Sequence, residues 1–227
     1  MRGLAGAALL ATAALASRAA AQAAAAPDSL VDRAAREVAA GRPIAAAFEQ
    51  TLTPAGGGSV KTSRGEFAQQ GAGRFAFRFV EPAGDAIVAD GTALWIYLPS
   101  SAPGQVLKLP IAEGTRLDLI TQLLTAPRAS YSIAAGGIEQ MGGRGVGVYR
   151  LIPKLADAPF TRATIWLDTT TALVRQLEAV EPSGAIRRIR FGDVRPDAVL
   201  PPGALKFTLP PNVRVVDASP LLGGRRP

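Results

Sequence analysis

The chain has 227 residues and carries 25 lysines and arginines against 18 acidic residues, a formal net charge of +7, with no histidine and no cysteine. That excludes a Ser-His-Asp or Cys-His nucleophile, an imidazole or thiolate metal site and a disulfide framework, and at this length a core can form without disulfides. The basic residues are scattered, with neither a basic block nor interleaved stacking aromatics, so nucleic acid is not an expected partner.

Met1-Arg2 leads into a small-residue apolar run over 3–16, and Ala19-Ala20-Ala21 before Gln22 has the small-x-small form of a signal-peptidase site. Residues 1–21 are expected to be a cleaved secretory leader and 22–27 an Ala-rich linker. The apolar run is too short and alanine-rich for a membrane span. Asp28 or Ser29 caps a predicted helix whose apolar stripe is Leu30, Val31, Ala34, Ala35 and Val38, with Gly41 as its stop and Pro43 beyond.

Segment 44–52 reads as a strand before the 56–58 glycine turn, and 60–69 as its return arm. Phe75, Phe77 and Phe79 alternate with Arg74, Ala76 and Arg78, the period-two pattern of a strand with one apolar face. Asp90-Gly91 is a hairpin dipeptide joining a strand at 87–89 to one at 93–98. A short strand is expected at 106–109, then a helix over 115–124 with Leu117, Ile120, Leu123 and Leu124 on one face and Leu119 widening it. Strands follow at 129–134, 145–152, 162–167, 173–180 and 185–191, with 206–209 and 213–216 closing the domain. Residues 218–227 lack periodicity and are expected to be a loose tail.

The order helix, strands, helix, strands predicts a mainly β domain over 28–217: a large antiparallel sheet, half closed into a barrel, with helices on one side. Gly142-Gly143-Arg144-Gly145-Val146-Gly147 leads into a strand, not a helix, so it is a glycine-rich hairpin and not a phosphate loop. Asp85 and Asp90 are carboxylates in turns, where acidic residues are expected in any case. No enzyme, cofactor or metal site is expected.

Phe48-Glu49-Gln50, Gly65-Glu66-Phe67, Gly73-Arg74-Phe75-Ala76-Phe77, Ile87-Val88-Ala89-Asp90-Gly91, Leu94-Trp95-Ile96-Tyr97, the segment 184–191 and Phe207-Thr208-Leu209-Pro210-Pro211-Asn212-Val213 together resemble the LolA family of periplasmic lipoprotein carriers. The resemblance implies an incomplete eleven-stranded antiparallel barrel, lidded by helices over an apolar cavity for lipoprotein acyl chains. It also implies a monomer in the periplasm. Its partners would be acylated lipoproteins, an inner-membrane lipoprotein-releasing transporter and an outer-membrane acceptor.

On that basis Phe67, Phe75, Phe77, Phe79, Ile87, Leu94, Trp95 and Ile96 are the expected cavity residues, and Leu117, Ile120, Leu123 and Leu124 the expected lid. Trp166 is a further candidate for wall or core. Family members commonly carry an Arg-Pro pair before the Gly-Arg-Phe motif, and that arginine is taken to latch the lid. Gly71 and Ala72 stand at those positions here. Two other readings of the same half-barrel stay open: a lipid-, glycolipid- or stress-sensing module that keeps its ligand, and an assembly protein whose groove binds polypeptide.

Overall fold

Capping residues set the first helix, as the sequence leads one to expect. In α1 (Leu30–Ala40) the Ser29 side chain accepts the Asp32 N–H while Asp32 accepts from the Ser29 backbone, a capping box. Gly41 ends the helix at φ 63°, a conformation glycine adopts at little cost. The structure, a computed structural model, describes residues 29–112, 117–156 and 158–217. The expected leader, linker and tail lie outside them.

After α1 come β1 (Ile44–Thr53), β2 (Lys61–Gln69), β3 (Arg74–Glu81), β4 (Ala86–Asp90), β5 (Ala93–Tyr97) and β6 (Gln105–Pro110). Two short helices follow, α2 (Leu119–Leu124) and α3 (Pro127–Ser130). The chain then forms β7 (Tyr131–Met141), β8 (Arg144–Pro153), β9 (Arg162–Asp168), β10 (Val174–Val180), β11 (Ile186–Pro196) and β12 (Arg214–Asp217). One twelve-stranded sheet results, in the order β12-β6-β5-β4-β3-β2-β1-β11-β10-β9-β8-β7. It is an open half-barrel whose edges, β12 and β7, do not meet.

Two meanders, β1 to β6 and β7 to β11, are joined by the β1–β11 pairing. The chain leaves the first at β6, next to one edge, and enters the second at β7, the opposite edge. To get there it crosses the whole inner face, and α2 and α3 lie on that crossing. A single apolar core fills the space between, from Val31 and Ala34 of α1 through Ile120, Leu123 and Leu124 of α2 to Phe48, Phe67, Phe75, Ile165, Leu167, Leu177 and Phe191 of the sheet.

Several expectations are corrected or refined. The described residues form twelve strands rather than eleven, and β12 runs parallel to β6, so the sheet is not wholly antiparallel. Residues 206–209 make no strand. They belong to a strap that leaves β11 at the middle of the sheet and crosses the outer face to the β6 edge. There Leu200, Leu205 and Phe207 pack on Ala76, Ala86 and Val88, and the Arg78 guanidinium donates to the carbonyls of Gly203, Ala204 and Lys206. A side chain thus satisfies backbone acceptors that a strand partner would otherwise take.

The expected strand at 129–134 begins as α3 and becomes a strand only at Tyr131, because Pro127 sits at the first turn of a helix, where its missing N–H costs nothing. Within the expected helix at 115–124, residues 115–116 lie outside the described residues, Leu117 is helical, and Asp118 breaks the run and caps α2 from Leu119.

Candidate functional site

Strand register decides which side chains meet under the crossover. Phe48 of β1, Gly65 of β2 and Phe79 of β3 are successive cross-strand partners, as are Phe67 with Phe77 and Gln69 with Phe75. Continuing outward, Phe77 faces Ile87, Ile87 faces Ile96, and Leu94 faces Leu109. On the other side Phe48 pairs with Phe191 and Gln50 with Ile189. All of these side chains point to the inner face, since alternate residues of a strand share a side.

The phenylalanines form one aromatic cluster across four strands. Phe77 meets Phe48 at 5.0 Å, Phe67 at 4.8 Å and Phe75 at 5.9 Å between ring centroids, and Phe67 meets Phe191 at 5.1 Å.

Beside this cluster lies an apolar cavity of about 120 Å³. Phe75, Phe77, Phe79, Ile87, Ala179 and Ile189 of the sheet line it, and Leu117, Leu119 and Phe160 close over it. Phe75 is fully buried at the deep end, whereas Leu117 is 41% exposed. Gln50, Glu181 and Arg187 add a polar rim. There the Arg187 guanidinium donates to Glu181 at 3.2 Å and to Gln50 Oε1 at 3.5 Å. A second void, of about 30 Å³, lies between α1, α2 and Phe67.

The crossover is tied to the sheet by a buried polar group. Asp118, which caps α2 by accepting the Thr121 N–H at 3.0 Å, also accepts from Gln69 Nε2 of β2 at 2.8 Å and from the backbone N–H of Gly73 in the β2–β3 turn. Gln69 Nε2 reaches Thr121 Oγ1 as well, at 3.0 Å. Burial pushes the Asp118 carboxyl above the ordinary carboxylate value, and the hydrogen bonds from Thr121, Gly73 and Gln69 offset that only in part.

Residues 42–208 match the family described as outer membrane lipoprotein carrier protein LolA. The chain belongs to the LolA family. The cavity, its rim and the Asp118 tie all lie within the matched segment, and β12 lies beyond it. Outer-membrane lipoprotein carrier proteins of Bordetella pertussis and Methylibium petroleiphilum are 32% and 28% identical to it over 170 and 180 residues. Those stretches are 74% and 79% of this chain and 77% and 84% of theirs. A crystal structure of an uncharacterized conserved protein from Thermus thermophilus is similar in fold, with a TM-score of 0.55 at 13% identity, over 87% of this chain and 99% of that one.

In this LolA-family chain the expected site residues separate into groups. Phe75, Phe77, Phe79, Ile87 and Leu117 line the cavity. Phe67 and Leu94 are inner-face core, and Ile96 packs against that core. Ile120, Leu123 and Leu124 face inward from α2 and are core rather than cavity surface. The cavity side of the crossover is carried by Leu117 and Leu119.

Trp95 must be moved: it stands on the outer face opposite Val88, stacks on Phe207 at 5.3 Å and donates its indole N–H to Asp90 at 2.8 Å. Trp166, paired with Val148 and donating to Glu139, is likewise out of the cavity.

The sequence reading missed Gln50, Ala179, Glu181, Arg187, Ile189 and Phe160. A cue was present, because Ala179 and Glu181, then Arg187 and Ile189, are spaced by two on either side of the Pro182-Ser183-Gly184 turn.

Proposed function

We propose that this protein is a periplasmic carrier that shields the acyl chains of lipoproteins between an inner-membrane releasing transporter and an outer-membrane acceptor, by apolar burial and with no chemical step. The observation that carries the reading is the aromatic and aliphatic cavity beneath a crossover that the buried Asp118 carboxyl helps hold to the sheet. Membership of a family whose curated members are named lipoprotein carriers supports it. Among the described residues no helix is long and apolar enough to cross a membrane.

A cavity of about 120 Å³ is on the scale of one that takes a single benzene-sized molecule, so a long acyl chain needs several times that space. The structure is therefore read as the closed form, and loading requires Leu117 and Leu119 to swing off Phe77, Phe79 and Ile189. Each methylene that then enters is worth about 0.8 kcal/mol, enough to offset a lid equilibrium of a few kcal/mol. Asp118, with Gln69 and Gly73, holds the closed state and does the work that the family's latch arginine would do at position 71.

A fluorescent acyl probe tests the reading. It is expected to bind the wild-type protein, to be displaced by an acylated lipopeptide, and to leave for liposomes carrying an acceptor. Failure to bind any acyl probe would sink the proposal.

A further inference from the structure

The rim of the cavity has a chemistry that its floor does not. Among the described residues that line it, the charged ones are Arg187 and Glu181, and they are paired with each other. Both side chains are about one-third exposed, at 33% and 34%, so they sit at the boundary between the apolar interior and water. Arg187 of β11 is two residues from Ile189 and pairs with Ala179, and Glu181 lies two residues beyond Ala179, just past the end of β10, so the pair continues the cavity wall outward.

A guanidinium has five N–H donors in a planar fork, and here two of its nitrogens are committed, to Glu181 and Gln50 Oε1. Gln50 is itself held in place by its Nε2 donating to Ser63. What the rim offers a ligand is thus a set of spare, oriented donors on a site whose net charge is zero.

Resting on the acyl-carrier reading above, we infer that Arg187, Glu181 and Gln50 form a headgroup subsite that selects acyl chains joined through a neutral ester or amide carbonyl and rejects free fatty acids. An acyl chain that enters with its methyl end toward the fully buried Phe75 leaves its carbonyl end at this rim. An ester or amide oxygen accepts a hydrogen bond from the spare Arg187 donors and leaves the ion pair intact. A free carboxylate has to compete with Glu181 for the same guanidinium, and does so beside the glutamate's negative charge. Breaking that pair to admit it would leave Glu181 without its cation in a partly apolar setting, a cost the neutral linkage avoids.

The experiment compares palmitate with monopalmitoylglycerol, each displacing a neutral fluorescent acyl probe below its micelle concentration, on the wild-type protein and on Glu181→Gln and Arg187→Gln, with circular dichroism to confirm folding. The wild type is expected to bind the glycerol ester about tenfold more tightly than the acid, a difference of about 1.4 kcal/mol. Glu181→Gln strengthens palmitate relative to the ester until the preference disappears or reverses, because Arg187 then lacks its anionic partner. Arg187→Gln weakens the ester.

Equal binding of acid and ester by the wild type, or a Glu181→Gln protein with its preference unchanged, would overturn the subsite while leaving the acyl-carrier reading in place. Binding of neither ligand, nor of the probe, would remove both.

Discussion

Phe48 and Phe79 sit on strands that are not neighbours, and their rings still meet edge to face at 5.1 Å, because the strand between them contributes Gly65. Gly65 is the cross-strand partner of both phenylalanines. A Cβ there would overlap the Arg78 carbonyl oxygen and come within 2.8 Å of Phe79 Cα, so the gap is needed by the backbone as well as by the rings. Gly65→Ala is expected to cost about 2–3 kcal/mol, read as a lower urea midpoint at unchanged slope. A variant as stable as the wild type would mean that the β2–β3 register does not require glycine.

The two faces of the crossover are expected to respond differently to the same charge. Leu119→Glu puts a carboxylate at the cavity and should weaken acyl-probe binding at least about tenfold, with a melting temperature near that of the wild type. Ile120→Glu buries a carboxylate against Ala34, Phe67 and Leu124 and should cost about 4 kcal/mol or more, showing as unfolding. If Ile120→Glu folded normally and lost only binding, the assignment of Ile120 to the core would be wrong.

Removal of the Asp118 carboxylate should loosen α2 locally. In Asp118→Ala, Gln69 Nε2 keeps only Thr121 Oγ1, and the Thr121 N–H loses its acceptor. Faster amide exchange is expected at Thr121 and Gln122, with β9 and β10 protected as before. Equal protection of α2 in the two proteins would show that Asp118 does not hold the crossover.

The same carboxyl gives stability a pH dependence of unusual sign. Asp118 keeps its proton in the folded state above 3.8, the ordinary value, so the folded state binds more protons than the unfolded one as pH rises past that point. Its contribution to stability is present below 3.8, declines as pH climbs to the raised folded value, and stays lost above it. Asp118→Asn has no such window, so the melting temperature of the wild type minus that of the variant should fall with pH there.

Asp168 behaves oppositely. Burial pushes it up, but the N–H groups of Thr171 and Thr170 and the Arg175 guanidinium outweigh burial and leave it below the ordinary value. Its stabilisation is present above 3.8 and lost as pH falls through the lowered value, and it cancels in the comparison. A flat difference would contradict the raised Asp118 value.

Neither described tryptophan faces the cavity, and that is measurable. A bromine-labelled acyl chain, which quenches on contact, should leave the emission of Trp95 and Trp166 unchanged when it binds. Strong quenching of Trp95 would place it back on the inner face, against its stacking on Phe207.

Much of the fold was legible because its signals are local. Ser29 and Gly41 bound α1, Asp90-Gly91 joins β4 to β5, and the phenylalanine alternation marks the inner face of β3. Trp95 was misplaced because Leu94, Trp95 and Ile96 are all apolar, so alternation carries no label for the face, and the strap that covers the outer one is distant in sequence. The helix before Pro127 was apolar on too many sides to show that Leu119 meets the cavity while Ile120 meets the core. Arg187 and Glu181 carry no local label in the sequence, because only the pairing of β10 with β11, which sets Ala179 opposite Arg187, reveals that they continue an apolar wall.

Native mass spectrometry of the mature protein taken from envelope extract tests the carrier account most directly, with Leu119→Glu run in parallel. The account predicts that an acylated lipoprotein or lipopeptide accompanies the wild type, leaves on addition of acceptor-bearing liposomes, and is absent from Leu119→Glu. An acylated species retained equally by both proteins, or none on the wild type, would contradict it.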